Sequence, residues 1–167
     1  MKLSQEDADI FFRLMWSLQH FVNGELGILP QVSNPDAYAN DYGMEEKLEV
    51  RNALLKDKTW YEKYVDANPE KVTDRELAII SDWQHFIADR FFIERCLKKH
   101  AIFIRDEEVY GVLGLNNGLA ELIPTSYLPV YVYAVLLPFK GKIIYDGLLQ
   151  SSNVIFGRNI TAELKDT

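Results

Sequence analysis

The sequence predicts an α+β protein: an N-terminal helical layer of about three long helices packed on a C-terminal antiparallel sheet, or small partly open barrel, of four to five strands, followed by a short terminal helix. Three observations predict it. Apolar residues recur at helical spacing through roughly the first hundred positions. After His100 the pattern becomes extended, with short β-branched and aromatic runs divided by polar turns. The run 128–149, LPVYVYAVLLPFKGKIIYDGLL, then reads as a hairpin of two apolar arms turning at Lys140 and Gly141. Its first arm, 130–137, has no polar alternation, which places it centrally in the sheet and covered on both faces.

A chain of 167 residues and 19.3 kDa suits a single domain, read here as a helical part over 1–100 and a sheet part with its terminal helix over 101–167. Apolar residues make up 48% and charged residues 26%, the balance of a folded protein rather than a disordered one. The single cysteine, Cys96, excludes an internal disulfide and suits a reducing cytoplasm. Acids near the start leave no export signal, and the longest apolar run, 127–139, is about half of what a membrane helix needs. No membrane association is expected. The net charge is −7, with 13 basic against 18 acidic residues before position 100 and 5 against 7 after it, so a nucleic-acid partner is not expected.

Taken in order, Ser4 is the candidate N-cap of a first helix whose core face is Leu3, Ile10, Phe11, Leu14, Leu18, Phe21 and Val22. Phe12 and Trp16 point nearly opposite, four residues apart. They are either buried on a second side or shown to a partner. A Gly- and Pro-containing stretch, 23–35, connects to a second helix over 36–57, broken by nothing except Gly43. Thr59 with Glu62 predicts a capping box for a short helix, TWYEKYVDA. Thr73 with Glu76, stapled by Val72 and Leu77, predicts the start of a third long helix, read to about Lys98 with Arg90 and Glu94 one turn apart in its apolar face. Strands follow at 101–105 and 109–115, then a helical turn at 119–123. After the hairpin come a strand at 154–156 and a terminal helix, RNITAELKD. The hairpin turn lacks Asn-Gly or Asp-Gly, so a type I turn with Gly141 left-handed and a bulge is expected, pairing Leu137 with Ile143 and Ala134 with Asp146.

Candidate chemistry is sparse. Asp82, His85 and Asp89 share one helical face, and His20 lies near Asp9 and Arg13, but exposed histidines among acids are the simpler reading and no metal is expected. Ser151, Ser152 and Cys96 lie in no nucleophile elbow, no phosphate-binding glycine motif is present, and no cofactor is expected. Asp146, beside Tyr145 and Gly147, is an acid on an apolar strand face. It is either a carboxylate satisfied at a bulge or a pocket acid with a raised pKa. Arg90 and Glu94 are either a structural ion pair or the lining of a pocket. Arg158, after Phe156-Gly157, is a candidate anion contact at a helix start.

The blocks VYGVLGL at 109–115 and LPVYVYAVLLPFKGKIIYDGLL, with the FG that follows, resemble a recurring pattern in a group of uncharacterised bacterial proteins. The similarity runs from about residue 68 to residue 158. It implies a bacterial soluble domain and carries no activity with it.

The function these features favour is a cytoplasmic binding or regulatory module, docking a protein partner or a second copy through exposed aromatics around Phe12 and Trp16 or Trp60 and Tyr64. The alternative is a small enzyme or ligand-binding protein with a pocket between helices and sheet, lined by Arg90, Glu94, Tyr145 and Asp146. No residue is assigned as catalytic.

Overall fold

The Ser4 hydroxyl oxygen accepts the Asp7 N–H at 3.2 Å, and the first helix, α1, runs from there over Gln5–Leu26. The second predicted helix is two. Pro35 and the Asn34 cap, whose Oδ1 accepts from Ala37 N–H at 2.8 Å, start α2 (Pro35–Asp41). Tyr42 and Gly43 leave the helical region, and the Glu46 carboxylate reaches back to the Gly43 N–H to start α3 (Met44–Lys56). The one glycine in that stretch is the break. The short helix α4 (Thr59–Ala67) forms where expected but with a different cap. Asp57 accepts both the N–H and the hydroxyl of Thr59, while Glu62 turns instead to Ser81 and Gln84.

Thr73 and Glu76 do form the capping box that starts α5 (Asp74–Asp82). That helix is a third of the predicted length. After a 3₁₀ turn over Trp83–His85 the chain becomes a strand, β1 (Ile87–Cys96), so the extended part begins at Ile87 rather than at 101. Next come β2 (Ala101–Arg105), β3 (Glu108–Val112), the single turn α6 (Leu119–Leu122), and the hairpin β4 (Val130–Phe139) and β5 (Lys142–Ser151), then β6 (Val154–Phe156). The computed structural model describes residues 2–151 and the backbone of 154–156. The expected terminal helix and Arg158 lie outside the described residues.

The chain is α+β, with six antiparallel strands in the order β3-β2-β1-β4-β5-β6 rather than the four to five expected. One parallel bridge, Leu113 to Ile144, curls the sheet without closing it into a barrel. The predicted central arm is central: β4 lies between β1 and β5, and Ala134 to Leu137 are buried consecutively. Pro138, which has no N–H to donate, sits beyond Leu136, the last β4 residue paired with β1.

Two compact units divide the chain, one of residues 1–8 with 85 onward and one of Asp9–Gln84. In the first, the inner sheet face is apolar, with Phe91, Ile93, Phe103, Val112, Val132, Ala134 and Leu136 all but inaccessible. In the second, Phe11 meets Trp83 edge to face at 5.6 Å, and the buried Ser17 and Tyr64 hydroxyls share a hydrogen bond. The buried Tyr38 hydroxyl donates to Gln19 Oε1 at 2.7 Å. The Gln19 Nε2 amide, buried beside that acceptor, has no hydrogen-bond partner.

Candidate functional site

The two arms of the hairpin show where the predicted site residues fall. The pairing runs Phe139 with Lys142, Pro138 with Ile143 and Leu137 with Ile144, one residue off the expected register. Lys140 and Gly141 both have positive φ, 49° and 77°, as a two-residue type I′ turn demands. The bulge is elsewhere. Leu136 pairs with Tyr145 and Ala134 with Leu149, so Asp146, Gly147 and Leu148 together oppose Val135, with Gly147 at φ 97°. Asp146 is 2% exposed, and its Oδ1 accepts the Leu148 N–H at 3.2 Å across the bulge. Tyr145 is buried beside it, and burial, with the Asp146 carboxylate second, raises the pKa of its phenol.

Arg90 and Glu94 are not with them. They stand on β1, not on a helix, both exposed, with β4 between their strand and that of Tyr145 and Asp146. Glu94 occupies the irregularity between Ile93 and Arg95 in the β1–β2 ladder. The four residues therefore do not converge. The histidines do not either. His85 lies in the 3₁₀ turn, His20 is half-buried against Tyr38, and among the described residues no three His, Cys, Asp or Glu side chains are placed to hold a metal ion.

The expected aromatic patches are also absent from their expected places. Trp60 and Tyr64 are buried, and Phe12 and Trp16 are half-buried and stacked on each other at 5.8 Å, with the Lys47 ammonium 4.4 Å from the Trp16 ring centre. Two exposed aromatics, Phe92 and Tyr131, are on the sheet. Register places Val109 opposite Ile104, Ile104 opposite Phe92 and Phe92 opposite Tyr131, one apolar row across four strands. Val109 is 64% exposed, Phe92 48% and Tyr131 46%. Arg90 and Tyr133 form the row on one side. On the other, Ile102 faces Gly111, whose absent side chain leaves room for the His100 ring, 2.6 Å from where a Cβ would stand.

A strand normally turns its polar side to water; this one turns out Phe92 between Phe91 and Ile93, which are buried. Charged groups lie at both ends of the row, with the exposed Asp106 and Glu107 in the turn after β2 at one of them. At the other end lie Arg95, Lys98 and Lys99, all exposed. The cluster in which Arg105 binds Glu108 at 2.8 Å and reaches Asp89 at 3.4 Å, with Tyr110 donating to the other Glu108 oxygen, is on the opposite face, where the Tyr110 ring meets that of the buried Phe91. The Arg105 guanidinium holds the Glu108 carboxyl below its ordinary pKa.

No family model matches the chain, and neither the curated proteins nor the solved structures contain a significant match to it. Among the described residues no helix is long and apolar enough to cross a membrane.

Proposed function

We propose that the chain is a binding or interaction module of the cytoplasm that docks a protein partner on the outer face of β1, β2, β3 and β4. One observation carries the reading: the apolar row Val109, Ile104, Phe92 and Tyr131 is turned to water on strands whose other face is already a filled core. Exposed single apolar residues need no explanation, but a row of four in register, three of them exposed and Ile104 half-buried, does. A reducing compartment fits Cys96, a free thiol whose pKa burial raises and which is thereby a poor thiolate.

The test is a photo-crosslinking residue, p-benzoylphenylalanine, in place of Phe92, with the same residue in place of the exposed Asp66 as control. Irradiated in cells that express the chain, the probe at position 92 gives an adduct of defined mass and the probe at 66 gives none. Equal labelling from both positions, or none from either, overturns the reading.

A further inference from the structure

We infer that the occupant of this face is a second copy of the same chain, seated with its strands antiparallel to those of the first. The inference rests on the docking reading above and is carried by the distribution of charge along the strands. The β1–β2 end holds Arg95, Lys98 and Lys99 against one carboxylate, Glu94. The β2–β3 end holds Asp106 and Glu107, in the turn, against one cation on this face, Arg90, whereas Asp89, Arg105 and Glu108 belong to the opposite face with Phe91 and Phe103. The ends are opposite in sign, with the apolar rows between them.

Two copies facing each other through a two-fold axis can be arranged in two simple ways. An axis along the strands sets basic end on basic end and acidic on acidic. An axis across the strands, near the middle of β2, sets each basic end on the partner's acidic end and packs the apolar rows together. Like charges opposed across an interface cost several kcal/mol, so the charge pattern selects the second arrangement. An acidic or a basic partner of another kind would match one end and be repelled by the other. A nucleic acid would meet the acidic end in a chain whose net charge is already −7.

The face is small. Four strands about 4.8 Å apart and five residues deep span roughly 14 Å by 14 Å, a few hundred Å² at most and below the roughly 800 Å² per partner of a standard interface. The pair is therefore weak, and salt weakens it further by screening its two charged seams.

The experiment is sedimentation equilibrium of the full chain across the micromolar range at low ionic strength. The unaltered chain shows a monomer–dimer equilibrium that moves toward monomer when salt is raised. In K98E/K99E both ends are acidic, and in D106N/E107K the acidic end loses its turn charges and gains a cation; each variant alone associates at least about tenfold more weakly. Mixed, the two recover association, because each supplies the seam the other lacks. Circular dichroism and melting of each variant establish that it is folded, and the salt response of the unaltered chain needs no variant at all. A strictly monomeric unaltered chain, a dimer indifferent to salt, or a mixture that does not recover overturns the inference. If the chain is monomeric while the probe at position 92 yields an adduct that is not twice the chain mass, self-pairing fails and the docking surface stands. If added oligothymidylate sediments with the chain through this face, the occupant is nucleic acid and the inference is wrong.

Discussion

Phe92 on β1 and Tyr131 on β4 are direct cross-strand partners, their ring centres 4.4 Å apart, and nearly half of each residue remains open to water. A cross-strand aromatic pair on an open face is worth about 0.2–1 kcal/mol. Phe92→Ser and Tyr131→Ser should each lower stability by no more than about 1 kcal/mol, whereas Phe91→Ala, one residue away and inaccessible, should cost about 3–5 kcal/mol. Urea unfolding of the three variants checks this. A loss at Phe92 equal to that at Phe91 would mean that the outer face is core, and the proposed docking surface would be lost with it.

The capping box at Thr73 gives a pH prediction. Glu76 accepts from the Thr73 backbone and is held by Arg13, and that hydrogen bond, ahead of the backbone one, depresses its carboxyl pKa. A depressed carboxyl stabilises the fold above its unfolded pKa, and the contribution is lost as pH falls through the folded value. Stability should therefore drop below about pH 4.5 more steeply in the unaltered chain than in Arg13→Ala, and Thr73→Ala should cost about 1 kcal/mol at neutral pH. Urea midpoints at several pH values measure both. Parallel acid profiles for the unaltered chain and Arg13→Ala would show that the pair is not formed in solution.

Much of the fold is legible in the chain where a local cause sits next to its effect: the Ser4 and Thr73 caps, the central apolar arm, the β2–β3 hairpin. The error at 87–96 has a physical source. Phe91 and Phe92 are adjacent, so the period-2 signal of a strand is interrupted by the very residue that faces water, and Ile87 with Phe91 then mimics a helical turn. No Gly or Pro marks the end of α5 at Asp82, so nothing in the chain stops the helix there. The exposed row was hidden for the same reason, since its members come from four strands and meet only through register. Asp146 is legible as an acid needing a bulge; the sequence points to a bulge at the turn because Lys140-Gly141 is not a favoured type I′ pair, yet both residues take the left-handed region.

Tyrosine ionisation offers an independent reading of the core. Burial is the first cause of a raised phenol pKa at Tyr38, Tyr64, Tyr110 and Tyr145. A group whose folded pKa is raised stabilises the fold below its unfolded pKa and loses that contribution as pH rises. Absorbance titration should therefore show part of the nine tyrosines resisting ionisation above about pH 10, and stability should fall there as the unfolded chain ionises first. Tyr145→Phe should flatten part of that fall. Full ionisation of all nine at ordinary values with the fold intact would contradict the burial.

The bulge at Asp146 and Gly147 makes the sharpest test of the β5 architecture. Gly147 at φ 97° occupies a conformation that side chains rarely adopt, so Gly147→Ala should cost about 1–3 kcal/mol through backbone strain alone. Asp146 is buried and accepts the Leu148 N–H, and removing that acceptor in Asp146→Ala leaves the donor unpaired at about 1–3 kcal/mol. Asp146→Asn retains the oxygen and should lose less. If the bulge is as described, the two effects are coupled, because both residues hold the same three-against-one irregularity opposite Val135, and the double variant G147A/D146A should cost less than the two losses added together. Strictly additive losses in urea unfolding would show that Asp146 and Gly147 act separately, and that the carboxylate does not hold the bulge in place.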